Sequence, residues 1–438
     1  MNYDVVVVGG GTAGCAFAYC AGINGLKTLL LEKESFLGGT ITSSLVIPAM
    51  NCGENQINTE FFDALIFELK LLNGQVTYQD NKGWFNPELT KIALDNLMQK
   101  ANVDTIFNAE ISDVSTNERN INNITIKKEI LSEHNDEIYS NNNLLHKSDI
   151  LSSPICARYY IDATGNCDFS KICNCNFLEN ENKNQPVSLR FMMSGINLEE
   201  FGNWLLEIDS DRNVTTVEVI DGNTHLSTAY TWDEGKEWAL RPWFEKAVEE
   251  GVLKDTDRNY FQVFSVAGMP STLAFNCPRI VESVNPLNIL DTSEALKLGR
   301  QSILRLANFC IKYFPGFKNA YISNIANTLG VRVSRRIKGK YIYTIDDLKS
   351  GKRFDNPVLI SNYPVDVHSS KKDSSTLEMN AEYQLPIESL MSADYDNLYV
   401  IGRCISADFM AQAALRVQPS CFTMGVGLAK FLAKKIND

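Results

Sequence analysis

The chain has 438 residues, 44% of them apolar and 21% charged, with a formal net charge of −12. That length suits two or three domains with ample core, and the composition is that of a folded globular protein rather than a disordered one. An acidic surface repels phosphate backbones, which disfavours nucleic acid as a general partner. The 11 cysteines are odd in number and scattered, unlike the disulfide framework of a small secreted domain. They read as reduced thiols. No apolar stretch approaches the ~18 residues of a membrane span. Asp4 and three glycines break the N-terminal apolar run where a signal peptide needs positive charge and continuity. The expectation is a cytoplasmic protein with neither membrane nor nucleic-acid partners.

The run Tyr3–Val8 is rich in β-branched residues and predicts a strand buried on both faces of a parallel sheet. A glycine-rich turn follows, then a small-residue helix over Ala13–Asn24 that Gly25 closes. Thr28–Leu31 predicts a second buried strand ending at Glu32, which completes a βαβ unit. Helices are expected over Asn58–Leu72 and Pro87–Asn102, the latter with Leu89, Ile92, Ala93, Leu97 and Ala101 on one face. Thr105–Ala109 and Ile111–Val114 resemble strand pieces. The polar segment Glu118–Ser153 reads as a hairpin, with Ile121–Ile130 its best strand and its tip near Asn141–Asn143. His134 and His146 fall there and read as solvated loop residues. Ala157–Gly165 reads as a strand entering a turn. Residues from Pro186 to Asn380 alternate β-like and helical patches, and Trp204, Trp232, Trp238 and Trp243 suit either core packing or a pocket wall. Leu398–Ile401 returns to strand, followed by a glycine turn and a last helix to Ile436.

Gly9-Gly10-Gly11-Thr12-Ala13-Gly14 satisfies G-x-G-x-x-G between a strand and a helix, the context that pattern needs. Gly9 permits the tight turn, Gly11 lets backbone approach a pyrophosphate, and Gly14 lets helix and strand pack closely. The helix N-terminus adds free N–H groups and a positive dipole end. Glu32, at the end of the second strand, is placed to accept hydrogen bonds from ribose hydroxyls. A dinucleotide site follows. A second glycine pair, Gly38-Gly39, follows Glu32, and Asp162-Ala163-Thr164-Gly165 closes a later strand.

With VVVVGGGTAG, EKESFLGG, WFNPELTKIALDNLM, YYIDATGNCD, LGVRVSRRIKGKYIYTIDDL, YPVDVHS, YQLPIESL, NLYVIGRCIS and ALRVQPSCFTMGVGLA in place, nearly the whole chain resembles the FAD-dependent oxidoreductases with a single dinucleotide domain, relatives of the glutathione-reductase-type flavoproteins. Only Asn197–Ser265 carries no recognisable phrase. The resemblance implies an α/β fold: a discontinuous Rossmann-type FAD-binding domain (1–185 plus 381–438) and an inserted substrate domain (186–380), mainly antiparallel β plus helix. It implies FAD held by Gly9, Gly11, Thr12, Ala13, Gly14, Glu32, Lys33, Gly38, Gly39 and Thr40. Further contacts are expected from Ile111, Ala163, Thr164, Gly165, Gly402, Arg403 and Ser420. Two positions depart from the usual phrases. Gly402-Arg403 stands where many flavoproteins have Gly-Asp, and Asn166 stands where an acid often follows the DATG phrase. Arg403 is therefore expected on pyrophosphate or on a neighbouring loop.

The expected activity is hydride transfer between flavin and a small organic metabolite. Alternatives are a partner-dependent electron-transfer subunit and a flavin-binding scaffold in RNA modification, for which the basic run Val331–Lys340 would be the contact. The catalytic candidates are His368 as base, Asp366 two residues away on the same strand face as its orienter, and Arg332 on a substrate anion. Of Arg332, Arg335 and Arg336, one is expected at flavin or substrate and the others in structural roles. The amides at the start of the last helix, near Arg416–Gly427, are expected to face the flavin. Cys421 is a weaker candidate for a redox thiol. No metal is expected: the spacing of Cys167, Cys173 and Cys175 fits neither zinc nor iron–sulfur patterns. No second G-x-G-x-x-G in strand context exists for a separate NAD(P)H domain.

Overall fold

A computed structural model describes residues 2–50, 57–127, 154–179, 184–231, 238–280, 283–367, 375–377 and 382–438. Strand β1 (Asn2–Val8) buries Val5 and Val7 on one face of its sheet and Val6 and Val8 on the other. This two-sided burial follows from the alternation of side chains along a strand. Helix α1 (Thr12–Ile23) covers the first face, and strand β2 (Thr28–Leu31) lies parallel to β1, in register from Val5↔Thr28 to Val8↔Leu31. The full parallel sheet has the order Leu398–Val400, Cys156–Asp162, β1, β2, Asp104–Ile106.

The registers bring Val8, Leu31, Asp162 and Val400 level with one another. The loops that follow these strands, beginning at Gly9, Glu32, Ala163 and Ile401, therefore open on one edge. The strand order reverses at β1, between β2 and Cys156–Asp162. In open α/β sheets the crevice at such a point is where ligands bind. The last helix, Gln418–Asn437, packs on α1.

A second, six-stranded sheet is antiparallel wherever its strands pair: Thr215–Ile220, Asn223–Thr231, Tyr260–Val266, Met269–Phe275, Phe191–Ser194 and Tyr321–Ile325 in spatial order. The long helix Ile289–Tyr313 packs on this unit through an aromatic cluster that includes Phe244, Phe261, Phe309 and Phe314. Trp204 stacks on Phe201 and meets Trp243 edge-on, and Trp238 packs on Phe244. Trp238 is buried in the core and Trp204 and Trp243 pack against it partly buried; Trp232 lies outside the described residues. After the sheet the chain returns to the parallel side. Ile337 donates its amide to Cys404, and Tyr343 donates its amide to Ser406. The fold is thus a Rossmann-type unit with an inserted antiparallel β unit.

Several expectations shift. Helix Pro87–Lys100 forms where expected and is capped by Asn86 Oδ1, which accepts the amides of Glu88 and Leu89. Its core stripe is Thr90, Ala93, Leu94, Leu97 and Met98, however, and Ile92 is exposed. At 100° per residue Ile92 sits nearly opposite Leu94, so the expected face was drawn through the wrong residue. Strand Asn120–Ile126 pairs with the preceding Ile111–Asn117 across a turn at Glu118, and Ile124 also bridges antiparallel to Ile155, while the expected tip near Asn141–Asn143 lies outside the described residues. Residues 128–153, with His134 and His146, lie outside the described residues. Cys167, Cys173 and Cys175 are buried on the back face of the parallel sheet among Tyr160, Phe169 and Cys404. Burial drives all three thiols up from their ordinary range, Cys175 to about 12. Among the described residues no helix is long and apolar enough to cross a membrane.

Candidate active site

The loops at the strand ends and the antiparallel sheet border a cavity of about 470 Å³. Gly9, at φ +105°, turns the chain from β1 towards α1. A Cβ there would lie 2.6 Å from the Ala163 carbonyl oxygen, and one on Gly14 would lie 1.9 Å from the Gly9 carbonyl oxygen. Both glycines are required by the packing itself. Gly11 differs: a Cβ would meet nothing nearer than 3.9 Å, because the space above it is the cavity. Gly11 also caps α1 without a side-chain hydrogen bond. The first amides of that helix therefore keep their donors for a ligand at the wall formed by Gly11, Thr12 and Ala13.

Glu32 braces this turn. One carboxylate oxygen accepts the Gly10 amide at 2.6 Å and the other accepts the Glu34 amide at 2.9 Å. Each oxygen keeps capacity for a further donor. Burial raises its pKa despite these bonds. Gly38 donates its amide to the Gly10 carbonyl and lays the second glycine pair alongside the first. Gly39, Thr40, Ala163, Thr164, Gly165, Gly402 and Arg403 also line the cavity. Gly9, Gly14, Glu32 and Gly38 build its frame without lining it. Lys33 is exposed, Ile111 is half-buried at the start of its strand, and Ser420 is fully buried with no hydrogen-bond partner for its hydroxyl. None of these three is on the cavity wall.

Asp162 is fully buried and shapes the DATG turn. One oxygen accepts the Thr164 amide and hydroxyl at 3.0 and 2.7 Å, and the other accepts the Ser170 amide and hydroxyl at 2.7 and 2.6 Å. Arg403 donates to the Gly165 and Val331 carbonyls and to Asn166 Oδ1, each at 2.7 Å. Of the two alternatives for Arg403, its guanidinium is engaged by the neighbouring loops.

The arginine run divides its labour. Arg335 donates to the Asn166 carbonyl and pairs with Asp168 at 2.9 Å, and Arg336 donates to the Ala407 and Glu179 carbonyls. Arg332 lines the cavity, 8% exposed, with one hydrogen bond to the Pro186 carbonyl. Arg332 and Arg336 are buried and Arg335 is half-buried, while Lys338 and Lys340 at the end of the basic run are exposed. Asp366, on the strand Val365–Val367, also lines the cavity and pairs with Arg416 at 3.3 Å. Its expected partner His368 lies outside the described residues.

The reading of the sequence missed much of the wall facing the glycine turn. Arg190, at the edge of the antiparallel sheet, donates to the Leu45 and Ile47 carbonyls, and burial pulls its pKa down to about 10. The Arg279 guanidinium lies 3.5 Å over the Tyr260 ring, whose hydroxyl donates to Gln262 at 2.5 Å. Asn276 donates to that same Gln262 oxygen at 2.5 Å. A signal was present: Leu-Arg-Phe at 190, Pro-Arg-Ile at 279, Val-Arg-Val at 332 and Leu-Arg-Val at 416 each set an arginine between non-polar neighbours. Such an arginine is carried inward with its strand or helix and needs partners there. The Val417, Gln418 and Pro419 start of the last helix reaches the cavity, as does Cys421. His225 is remote, buried with Nδ1 3.2 Å from the Ser265 hydroxyl.

These features fit FAD: a wall of small residues and free helix amides for a pyrophosphate, a carboxylate bracing the turn, and cavity continuing past them. Fold and site together define a Rossmann-type flavoprotein. Over residues 4–137 and 143–436 the chain matches the family described as FAD dependent oxidoreductase, and it belongs to that family. FAD is its cofactor. Over 39 residues, 9% of this chain and 11% of the other, it is 51% identical to ferredoxin–NADP reductase 3 of Lysinibacillus sphaericus. Over 65 residues, 15% of this chain and 17% of the other, it is 40% identical to digeranylgeranylglycerophospholipid reductase of Methanococcus vannielii. The chain thus spans only a small part of the length of these relatives. A geranylgeranyl bacteriochlorophyll reductase-like structure from Thermoplasma acidophilum aligns with all of this chain and 79% of its own, at 15% identity and a TM-score of 0.45.

Proposed function

We propose that this protein transfers a hydride equivalent between FAD and a small organic metabolite that enters beside the Arg332 end of the cavity. The observation that carries the reading is the continuity of that cavity from the Gly11–Ala13 wall to Arg332, Tyr260 and Asp366. A cofactor held by the glycine turn and a substrate held by the antiparallel sheet would share one continuous space. Bound FAD supplies a two-electron acceptor or donor.

The chain's own residues do the rest. The amides of Thr12 and Ala13 and the Gly39-Thr40 backbone would hold the dinucleotide, with Glu32 at its ribose. The start of the last helix, at Gln418, offers amide donors and a positive dipole end to the cavity. Arg332 would bind and orient the substrate. His368, two residues past Asp366, is the proposed proton carrier, with Asp366 and its Arg416 contact shaping the charge there.

Anaerobic titration tests this reading. The purified yellow protein should hold FAD, and a small metabolite should bleach it. His368→Gln should keep the FAD and slow that bleaching at least ~100-fold, the scale of general base catalysis. Folded protein that takes up no flavin would refute the reading.

A further inference from the structure

The antiparallel-sheet side of the cavity is cationic in a protein of net charge −12. Four arginines line the cavity, against a single carboxylate, Asp366, among the described residues. Arg403 is committed to loop carbonyls. The other three, Arg190, Arg332 and Arg416, are joined by Arg279 close behind. The backbone explains their convergence. Ser188 pairs with Arg279 on one side and bridges to Gly330 on the other, so Arg190, Arg279 and Arg332 stem from three adjoining segments.

Arg332 is the most telling member. It is 8% exposed, its one hydrogen bond goes to a neutral carbonyl, and no carboxylate among the described residues lies within ion-pair distance. Arg190 bonds only to carbonyls, and its buried Nε has no partner. Burial, then repulsion from Arg279, Arg416 and Arg190, lowers the Arg332 pKa well below the ordinary guanidinium value. Desolvated like charges held together are costly unless an anion joins them. The glycine turn and the amides of α1 already suit the FAD pyrophosphate, which leaves these arginines to a second anion.

We infer that Arg332 and Arg190, with Arg416 beside them, form the recognition site for a carboxylate group of the substrate. A planar guanidinium matches a carboxylate with two parallel hydrogen bonds, and a water-poor wall strengthens the pair. The inference deepens the proposed function, and it rests on that reading only in taking the bound anion to be the substrate.

Binding decides it without turnover. The FAD-loaded protein is titrated by calorimetry with acetate, succinate, glutarate and benzoate. Succinamide and benzamide serve as neutral counterparts, and inorganic phosphate as a competing anion. At least one carboxylate should bind ~10-fold or more tightly than its amide. Arg332→Gln should lose that binding by ~10-fold or more at unchanged FAD content, and Arg332→Lys should recover part of it, the scale of one charge-assisted hydrogen bond. Should Arg332→Gln fail to fold, Arg190→Gln and the acid-to-amide comparison in the parent protein carry the same test. Equal binding of acids and amides, or unchanged affinity in the arginine variants, overturns the inference. Preference for phosphate over every carboxylate overturns it in favour of a phosphorylated substrate. Carboxylate binding by protein that takes up no FAD would refute the flavoprotein reading and leave the anion site standing.

Discussion

Arg403 Nη2 donates to Asn166 Oδ1 at 2.7 Å. These are the two positions at which the chain departs from the phrases common among flavoproteins, and they prove to be one interaction. Arg403 also closes on the Gly165 and Val331 carbonyls, so it ties the DATG turn to the segment that presents Arg332. Removing it takes a donor from three acceptors, of which the Gly165 carbonyl keeps the Ser334 hydroxyl. Arg403→Leu should cost about 2–3 kcal/mol in urea unfolding. A double-mutant cycle with Asn166→Ala should return a coupling of ~0.5 kcal/mol or more. Additive losses would mean that the two residues act independently.

Gly11 and Gly14 separate cofactor binding from folding. A methyl on Gly14 collides with the Gly9 carbonyl, whereas one on Gly11 has 3.9 Å of clearance and points into the cavity. Gly14→Ala should therefore lower Tm and FAD content together. Gly11→Ala should leave the Tm of the apoprotein within ~2 °C of the parent while weakening FAD binding by ~10-fold or more. Thermal melts of apoprotein and flavin titration of each variant provide the check. Equal losses in both variants would show that Gly11 too serves packing alone.

The first of these features was legible in the sequence because it is local. Val5–Val8, the glycine turn, β2 and Glu32 form one contiguous unit whose chemistry is set by neighbours in the chain. Arg190, Arg279, Arg332 and Arg416 come from segments far apart in sequence, and no spacing rule joins them. The pairing of Ser188 with both Arg279 and Gly330 joins the first three, and Arg416 comes to them from the turn before the last helix. Ile92 failed for a different reason. The amphipathic pattern of Pro87–Lys100 identified a helix, but two apolar stripes compete on it, and contact with the rest of the core chooses the one through Leu94. Arg403 was open between two partners because sequence proximity says nothing about which loop crosses it.

Cys421 lines the cavity, and its thiol lies 3.5 Å from the Arg416 carbonyl oxygen. Burial pushes its pKa up to about 12, with nearby Arg403 opposing the shift. At pH 8 only roughly one thiol in 10⁴ would be ionised, by the logarithmic relation between pKa and charge. The thiolate is the reactive form. Iodoacetamide should therefore label Cys421 in the folded protein at least ~100-fold more slowly than a free cysteine at pH 8. Rapid labelling at this residue would restore the case for a redox thiol.

His225 gives a pH dependence of known sign. It is buried against Ser265, and burial lowers its pKa from the ordinary 6.5, with Asp221 and Glu218 opposing. Below about pH 6.5 the unfolded chain binds a proton that the folded chain resists. The contribution of the neutral ring to stability is thus complete above that pH and is lost as pH falls towards the lower folded value. His225→Gln keeps a hydrogen-bonding group for Ser265 but cannot take up the proton. The drop in Tm between pH 7.5 and pH 5.0 should be smaller in this variant by ~1–2 °C or more, a shift in proportion to a fraction of a kcal/mol in a chain of this size. Parallel Tm curves for parent and variant would place the acid sensitivity of the fold elsewhere, with the buried carboxylates Glu32 and Asp162 excluded as its source. Burial raises their pKa values, and a raised carboxylate loses stability as pH rises, the opposite sense.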